Sequence, residues 1–320
     1  VSLFLPSFFN PQIDFEKAEL NINYVSKEYC KDYKQKNDWR HFFIKIGVNE
    51  GIDFQHVLLD STYCRKIYKN FIEFFNDNNI QIYHANSGNI WKNSITRYDL
   101  LTINCIEFCD SYKFSKVFWE YVLSLSYKRE RNDRGYANWQ DKSELDQNLL
   151  EWIFSNKEIF PTSKKNCKKS KDVFINSKIN REIAGCYLPV LNLETLISDE
   201  WQQQLQFKEM FVLSDYLEIL TEISKDPENW NFNKERILLI YKTLSENHLH
   251  EEITLKNWGQ KNMLLSTSGN FLIPNKLKYV TEKGFFSEDV LLSMEENNAN
   301  LIKLFELFGV TVIHEFIPEI

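Results

Sequence analysis

Two short phrases each occur more than once in this chain. The first is an apolar pair, a Ser/Thr-rich turn, a spacer, and a strand-like triplet centred on an aromatic. It runs from Ile159-Phe160-Pro161-Thr162-Ser163 to Val173-Phe174-Ile175, and again from Leu264-Leu265-Ser266-Thr267-Ser268 to Lys278-Tyr279-Val280. Thr162 to Phe174 and Thr267 to Tyr279 have the same spacing. The second phrase is an aromatic helix ending in Gly-Val. Trp39-Arg40-His41-Phe42-Phe43-Ile44-Lys45-Ile46-Gly47-Val48 is echoed by Leu301-Ile302-Lys303-Leu304-Phe305-Glu306-Leu307-Phe308-Gly309-Val310. Catalytic sites are as a rule single and asymmetric, whereas repeats build scaffolds from units that cannot bury their apolar faces alone. The repeats therefore predict an α+β fold, a helix-rich modular array of short β-hairpins in repeated hairpin-plus-helix units.

Composition agrees with a packed array. At 320 residues there is room for two domains or for several small units. An aromatic fraction of 15%, with 25 Phe and 15 Tyr, supplies a large core and excludes a disordered chain. With only 9 Gly and 7 Pro, a Gly-rich phosphate loop and long flexible linkers are not expected. A net charge of −7 argues against indiscriminate DNA binding by the whole molecule. Cys30, Cys64, Cys105, Cys109, Cys167 and Cys186 form no C-x-x-C pair, which reads as reduced cytosolic thiols rather than a disulfide framework. No apolar run reaches the ~18 residues of a spanning helix, so no membrane partner and a cytoplasmic location are expected. The start, Val1-Ser2-Leu3-Phe4-Leu5-Pro6, lacks both an initiator Met and a basic leader, and points to an internal piece of a longer polypeptide.

Along the chain, Val1 to Leu5 predicts a strand stopped at Pro6. Asn37 or Asp38 caps a helix from Trp39 to Ile46, with Gly47 as its left-handed stop. A helix is expected over Tyr63–Asn76, capped by Ser61 or Thr62, then a hairpin near 80–92. Asp99–Asp110 and Ser115–Tyr127 read as consecutive helices, Arg129–Asp141 as a polar loop, and Leu145–Phe154 as a helix. The hairpin 159–175 follows, then helices over Trp201–Met210, Ser214–Ser224 and up to Asn247. The hairpin 263–280, a helix over 298–308 and a strand over Thr311–Phe316 close the chain. Phe207 to Val212 stands where a middle copy of the Gly-Val phrase would fall, with Phe211 in place of Gly. These elements divide into modules over 1–155 and 156–320.

The hairpin phrases and the two Gly-Val helices resemble the repeated regions of sacsin and of plant NO VEIN-like proteins, with their bacterial relatives. Met263-Leu264-Leu265-Ser266-Thr267-Ser268-Gly269-Asn270-Phe271-Leu272-Ile273-Pro274 is the best single instance. The resemblance implies a large intracellular protein with a heat-shock-chaperone-like ATPase domain elsewhere in the polypeptide, and roles in phage defence or protein quality control. The motifs of that ATPase are missing from this sequence, so no ATP site or other cofactor is carried over to these residues. In this reading Gly47 and Gly309 are backbone residues at helix ends, and Trp39, Phe43 and Phe305 are structural, with Phe43 and Phe305 as core anchors. The partner is another protein or another domain of the same polypeptide.

The sharpest local chemistry is basic. Lys164, Lys165, Lys168, Lys169 and Lys171 crowd one hairpin turn, with Lys178 and Arg181 beyond; Lys128, Arg129, Arg131 and Arg134 form a second cluster. Such cations contact phosphates, and Tyr136 and Trp139 offer faces for stacking bases, so a nucleic-acid-binding module is the alternative function. The competing reading is a solvated tip whose charge protects a strand edge, and the uncharged Gly269-Asn270 tip of the second hairpin favours it. His248-Leu249-His250-Glu251-Glu252 offers two imidazoles and carboxylates to a metal, but a histidine at a helix end is favourable for the dipole alone. Cys105 and Cys109, one helical turn apart among apolar neighbours, read as small core residues. Ser87, Ser163 and Ser268 lie outside any G-x-S-x-G elbow. No catalytic residue and no metal site is assigned, and this region is expected not to be an enzyme.

Overall fold

The structure is a computed structural model; it describes residues 3–18, 22–29, 35–60, 63, 66, 68, 82–83, 90–91, 97–125, 127, 133–136, 142–144, 148–280 and 298–313. The fold is α+β. Strands β1 (Leu3–Phe4) and β2 (Asn23–Tyr24) precede helix α1 (Lys36–Lys45). Then come β3 (Phe54–Asp60), β4 (Ile82–Tyr83), β5 (Ile90–Trp91), β6 (Arg97–Ile103) and α2 (Tyr112–Val122). Strands β7 (Arg134–Tyr136) and β8 (Lys142–Glu144) lead to α3 (Leu149–Asn156) and the hairpin β9 (Phe160–Pro161) with β10 (Cys167–Lys168). Helices α4 (Lys178–Ala184), α5 (Asp199–Leu205), α6 (Leu213–Ser224), α7 (Trp230–Asn247) and α8 (Glu252–Gly259) follow. The hairpin β11 (Leu264–Leu265) and β12 (Phe271–Leu272), then β13 (Lys278–Val280), α9 (Ala299–Phe308) and β14 (Thr311–Ile313), complete the order.

The chain divides into two compact units, Val1–Val173 with Leu191–Lys208, and Phe174–Val190 with Glu209–Ile320. The boundary thus differs from the expected one after residue 155, for a definite reason. Ile159, just before β9, offers its carbonyl to two donors on α2, Ser115 Oγ at 2.6 Å and Trp119 Nε1 at 2.7 Å. These bonds tie the first hairpin to the first unit. Leu191–Lys208 returns to that unit because Asn192 N–H donates to the Pro161 carbonyl at 2.9 Å and Trp201 Nε1 to the Leu125 carbonyl at 2.8 Å. Phe114, Phe118, Trp119 and Val122 recur on one face of α2 and are fully buried. Trp119 stacks on Phe160 with centroids 4.4 Å apart, and Trp201 meets it edge-on at 6.3 Å. In the second unit Tyr241, Tyr279, Phe305 and Phe308 are among the aromatic residues of the core.

The two Gly-Val helices end alike. Gly47 has φ +91°, and Val48 N–H donates to the Phe43 carbonyl at 2.9 Å; Gly309 has φ +92°, and Val310 N–H donates to the Phe305 carbonyl at 2.9 Å. The next residue reaches a strand far upstream. Asn49 N–H donates to the Leu3 carbonyl at 2.9 Å, and Thr311 N–H to the Leu277 carbonyl at 3.3 Å. Both contacts are parallel pairings, Phe4 with Asn49 and Lys278 with Thr311. A third copy closes at 2.9 Å from Lys208 N–H to the Val173 carbonyl. There the left-handed residue is Gln206, φ +53°, at the end of α5. This corrects the expected middle copy: the stop precedes Phe207, and Phe211 does not occupy the glycine position. Gln206 tolerates the strained backbone because Trp201 and Leu205, both fully buried, hold the helix that delivers it.

The two hairpins match one residue away from the register that their hydroxyls suggest. Thr162 corresponds to Ser266, not Thr267. Thr162 N–H donates to the Asn166 carbonyl at 2.9 Å and Ser266 N–H to the Asn270 carbonyl at 2.8 Å. Lys165 and Gly269, φ +58° and +87°, then take the same left-handed corner. The ladder defines the turn, and both Thr162 and Ser266 are fully buried at its mouth.

Other differences lie in the middle of the chain. The expected helix 99–110 is strand β6 followed by a short 3-10 turn, Ile106–Phe108. β6 pairs along its whole length with β3, and the antiparallel sheet order is β3-β6-β7-β8. An apolar run such as Leu100 to Ile103 carries no period that separates a buried strand from a helix. Arg134–Tyr136, expected in a loop, is β7, paired on both sides. β4 and β5 pair antiparallel, Ile82 with Trp91 and Tyr83 with Ile90. The turn expected between them lies outside the described residues, as does most of the helix expected over Tyr63–Asn76, of which Tyr63 and Lys66 are described and helical.

Among the described residues nothing lies within 4 Å of a Cβ built on Gly47 or Gly309, so replacing either is costly only through its backbone. Gly47→Ala and Gly309→Ala are each expected to lower stability by ~1–2 kcal/mol, the left-handed penalty of an L-residue. Lys165→Gly relieves that strain and, against ~0.4–1 kcal/mol of added unfolded-state entropy, is expected to raise stability slightly. Urea denaturation of the three variants checks both signs.

Candidate functional site

The lysines of the first hairpin are the densest charge on a single described turn. Lys164 and Lys165 are exposed at the tip, Lys171 is exposed on the following 3-10 turn, and Lys168 and Lys169 are half-buried. Lys168 Nζ is 3.0 Å from Glu158 Oε1, which neutralises it in part. Lys178 and Arg181 stand on α4 in the other unit, and Lys178 Nζ lies 3.8 Å from Glu182. Of the second basic cluster, Arg129 and Arg131 lie outside the described residues. Arg134 sits on β7, its backbone in register with Asp99 of β6 on one side and with Glu144 of β8 on the other.

Of the residues assigned to structure, Phe43 and Phe305 occupy cores. Phe43 is buried against Phe9, Tyr29 and the stacked ring of Trp39, centroids 5.7, 5.8 and 5.6 Å away. Phe305 is fully buried between Tyr241 and Tyr279, at 5.3 and 4.7 Å. Trp39 is only half-buried.

A buried carboxyl escaped the sequence reading. Asp133 is fully buried at the start of β7. Its Oδ1 accepts from Leu101 N–H on β6 at 2.6 Å, and its Oδ2 from Leu149 N–H, the first residue of α3, also at 2.6 Å. Asp133 N–H donates to Asn148 Oδ1 at 3.2 Å. One side chain therefore fastens the sheet to a helix N-terminus, where an acceptor is favourable. Burial pushes its carboxyl up to about 6, while the two backbone bonds and nearby His56 pull the other way. His56 Nδ1 lies 3.3 Å from Asp99 Oδ1 on the same sheet. Both oxygens of Asp133 are held by amides, which suits a fastener rather than a proton carrier. In sequence Asp133 stands in a polar run, and no local signal separates it from a solvated aspartate.

Three of the described thiols are buried. Cys105, Cys109, Cys167 and Cys186 are free. Cys105 and Cys109 bracket the 3-10 turn after β6 rather than sharing an α-helix. Burial pushes Cys105 up to about 12, and it raises Cys109 and Cys167 as well, so all three stay protonated near neutrality. His248 Nδ1 is 3.1 Å from Glu251 Oε1 at the end of α7, and its ring lies 5.6 Å from that of Tyr216. Among the described residues no three His, Cys, Asp or Glu are placed to hold a metal ion.

Two hollows are formed by described residues. One of about 340 Å³ has a floor of Ile106, Ile153 and Ile159, with Glu107, Asp110, Lys157 and Glu158 among its lining. The other, about 600 Å³, lies along the second hairpin, lined by Trp230, Met263, Gly269 and Phe271 among others. No helix among the described residues is long and apolar enough to cross a membrane. Set beside family models, curated proteins and solved structures, the chain matches none.

Removing the Asp133 side chain leaves two buried amides without an acceptor, so Asp133→Ala is expected to cost roughly 2–6 kcal/mol of stability. The folded protein holds this proton more tightly than the unfolded chain, with the group raised from 3.8 to about 6. The stability it contributes is therefore complete below 3.8 and lost as pH rises through about 6. Urea midpoints across that range, compared with Asp133→Asn, are expected to show a fall in the wild type that the variant lacks.

Proposed function

We propose that this chain is a non-catalytic scaffold or partner-binding region of a large intracellular protein of the sacsin/NO VEIN-like kind, acting in bacterial phage defence or protein quality control. It holds a protein partner, or couples an ATPase elsewhere in the same polypeptide to an effector. One observation carries the reading: a left-handed stop followed by a backbone bond to an upstream segment recurs three times, at Gly47, Gln206 and Gly309. The aromatic side chains that attracted attention in the sequence pack around these closures. Asp133 is bonded to two amides, and burial keeps Cys105, Cys109 and Cys167 protonated. The test is an ATPase and nuclease assay on the purified chain. Turnover at the background rate is expected; robust turnover abolished by substituting one of its residues overturns the scaffold reading.

A second reading, binding of nucleic acid, draws on the exposure of Lys164, Lys165 and Lys171 on one hairpin and its following turn. Phosphate contacts by these cations require affinity to fall steeply with salt. In this reading Lys164→Glu with Lys165→Glu weakens binding of a single-stranded oligonucleotide and flattens its salt slope. Fluorescence anisotropy measures both, and equal affinity for wild type and variant removes the reading.

A further inference from the structure

We propose that the outer edge of β3 pairs antiparallel with the same edge of a second copy of this chain, about a twofold axis at Val57. Such self-association adds to the scaffold reading and does not depend on it.

β3 is the end strand of the sheet β3-β6-β7-β8. The backbone bonds fix which of its groups look outward. Asn104 N–H donates to the Asp53 carbonyl at 3.2 Å, so Gln55, Val57 and Leu59, in step with Asp53, exchange their bonds with β6. Leu101, opposite His56, agrees: its N–H turns away from β3, to Asp133 at 2.6 Å. The N–H and C=O groups of Phe54, His56, Leu58 and Asp60 therefore point away from the sheet. No described residue bonds to these groups. The protein element that matches such a row is another extended strand.

Edges that stay single are blunted by lysine, proline or a bulge. Phe54-Gln55-His56-Val57-Leu58-Leu59-Asp60 contains no Lys, Arg, Pro or Gly, and it pairs with β6 without interruption. Its one carboxylate, Asp60, stands at the end, where Oδ1 accepts from Tyr63 N–H at 2.8 Å. Leu58, near the middle, is 59% exposed. At the other end of the sheet β4 lies against β8.

The symmetry of the strand selects the occupant. Phe54 and Asp60 are equally far from Val57, and so are His56 and Leu58. A twofold axis at Val57 sets Phe54 opposite Asp60 of the second copy, and His56 opposite its Leu58. Every outward group of one strand then meets one on the other. The two Asp60 carboxylates fall at opposite ends of the joint, so they do not face each other. A slip of one residue sets outward groups against residues bonded to β6, and a slip of two leaves end residues unmatched. At the axis, Val57 faces Val57 of the second copy in a non-hydrogen-bonded pair, with Cα atoms ~4.5 Å apart. The joint is small beside the ~1,200 Å² of a standard interface, so a weak, concentration-dependent dimer is expected.

Sedimentation equilibrium of the full chain over rising concentration tests this. The mass is expected to climb from 38.3 kDa towards twice that value. Val57→Cys tests the register, since a disulfide needs Cα atoms about 4.4–6.8 Å apart. Under mild oxidation it should give several-fold more linked dimer than the wild type, whose native thiols set the background. Gln55→Cys is the control: it is more exposed than Val57, yet its mate lies four residues along the joint, roughly 13 Å away. It should link no more than background. Leu58→Pro removes an outward N–H and no bond to β6, so it should keep the chain folded and hold the mass at 38.3 kDa. An unchanged circular dichroism spectrum checks that fold; if the proline unfolds the chain, the two cysteine variants decide alone. A mass fixed at 38.3 kDa, equal linking by the two cysteines, or a dimer that persists in folded Leu58→Pro overturns the proposal. The first of these leaves the edge to a strand of another protein.

Discussion

A helix that ends must dispose of its last carbonyls, and in this chain the way it does so organises each repeat. The left-handed residue turns the backbone so that the next amide closes back on the helix, Val48 on Phe43 and Val310 on Phe305. The amide after that then points at the carbonyl of an upstream strand. The residue whose carbonyl is caught also supplies the ring that fills the core, so ending the helix and anchoring it are one event. Burial alone cannot specify this arrangement, because apolar contact is non-directional while the amide-to-carbonyl geometry is not.

The parts of the fold visible in the sequence were those whose signals are local. Gly47 and Gly309 announced their helix ends because glycine is the residue for which the left-handed region is cheap. The hairpins showed through their turn residues, and α9 through its Gly-Val phrase. The middle stop stayed hidden because Gln206 carries no such signature; neighbours impose its conformation. β6 was misread for the same kind of reason. Its apolar run is compatible with helix or strand, and only its pairing with β3, distant in sequence, decides between them. The hairpin register slipped by one because matching hydroxyls were weighed where backbone bonds rule.

The candidate chemistry divides along the same line. Charge clusters are legible because lysines stand side by side, and the exposed members of the first hairpin are where the sequence put them. Asp133 was illegible because its importance consists in reaching Leu101 and Leu149, which no window of neighbouring residues contains. The cysteines illustrate the converse. Their spacing suggested a pair on one helix; they flank a turn instead, and burial rather than proximity sets their reactivity.

Gly259 gives the second unit a mechanical property. Most helix contacts are cushioned by side chains that hop between rotamers and so absorb small displacements. Where α8 meets the end of α9, main chain touches main chain, and no rotamer is available to yield. A push on α9 at that point must move α8 as a block, so the two helices form a stiff lever ending at the stop that feeds β14.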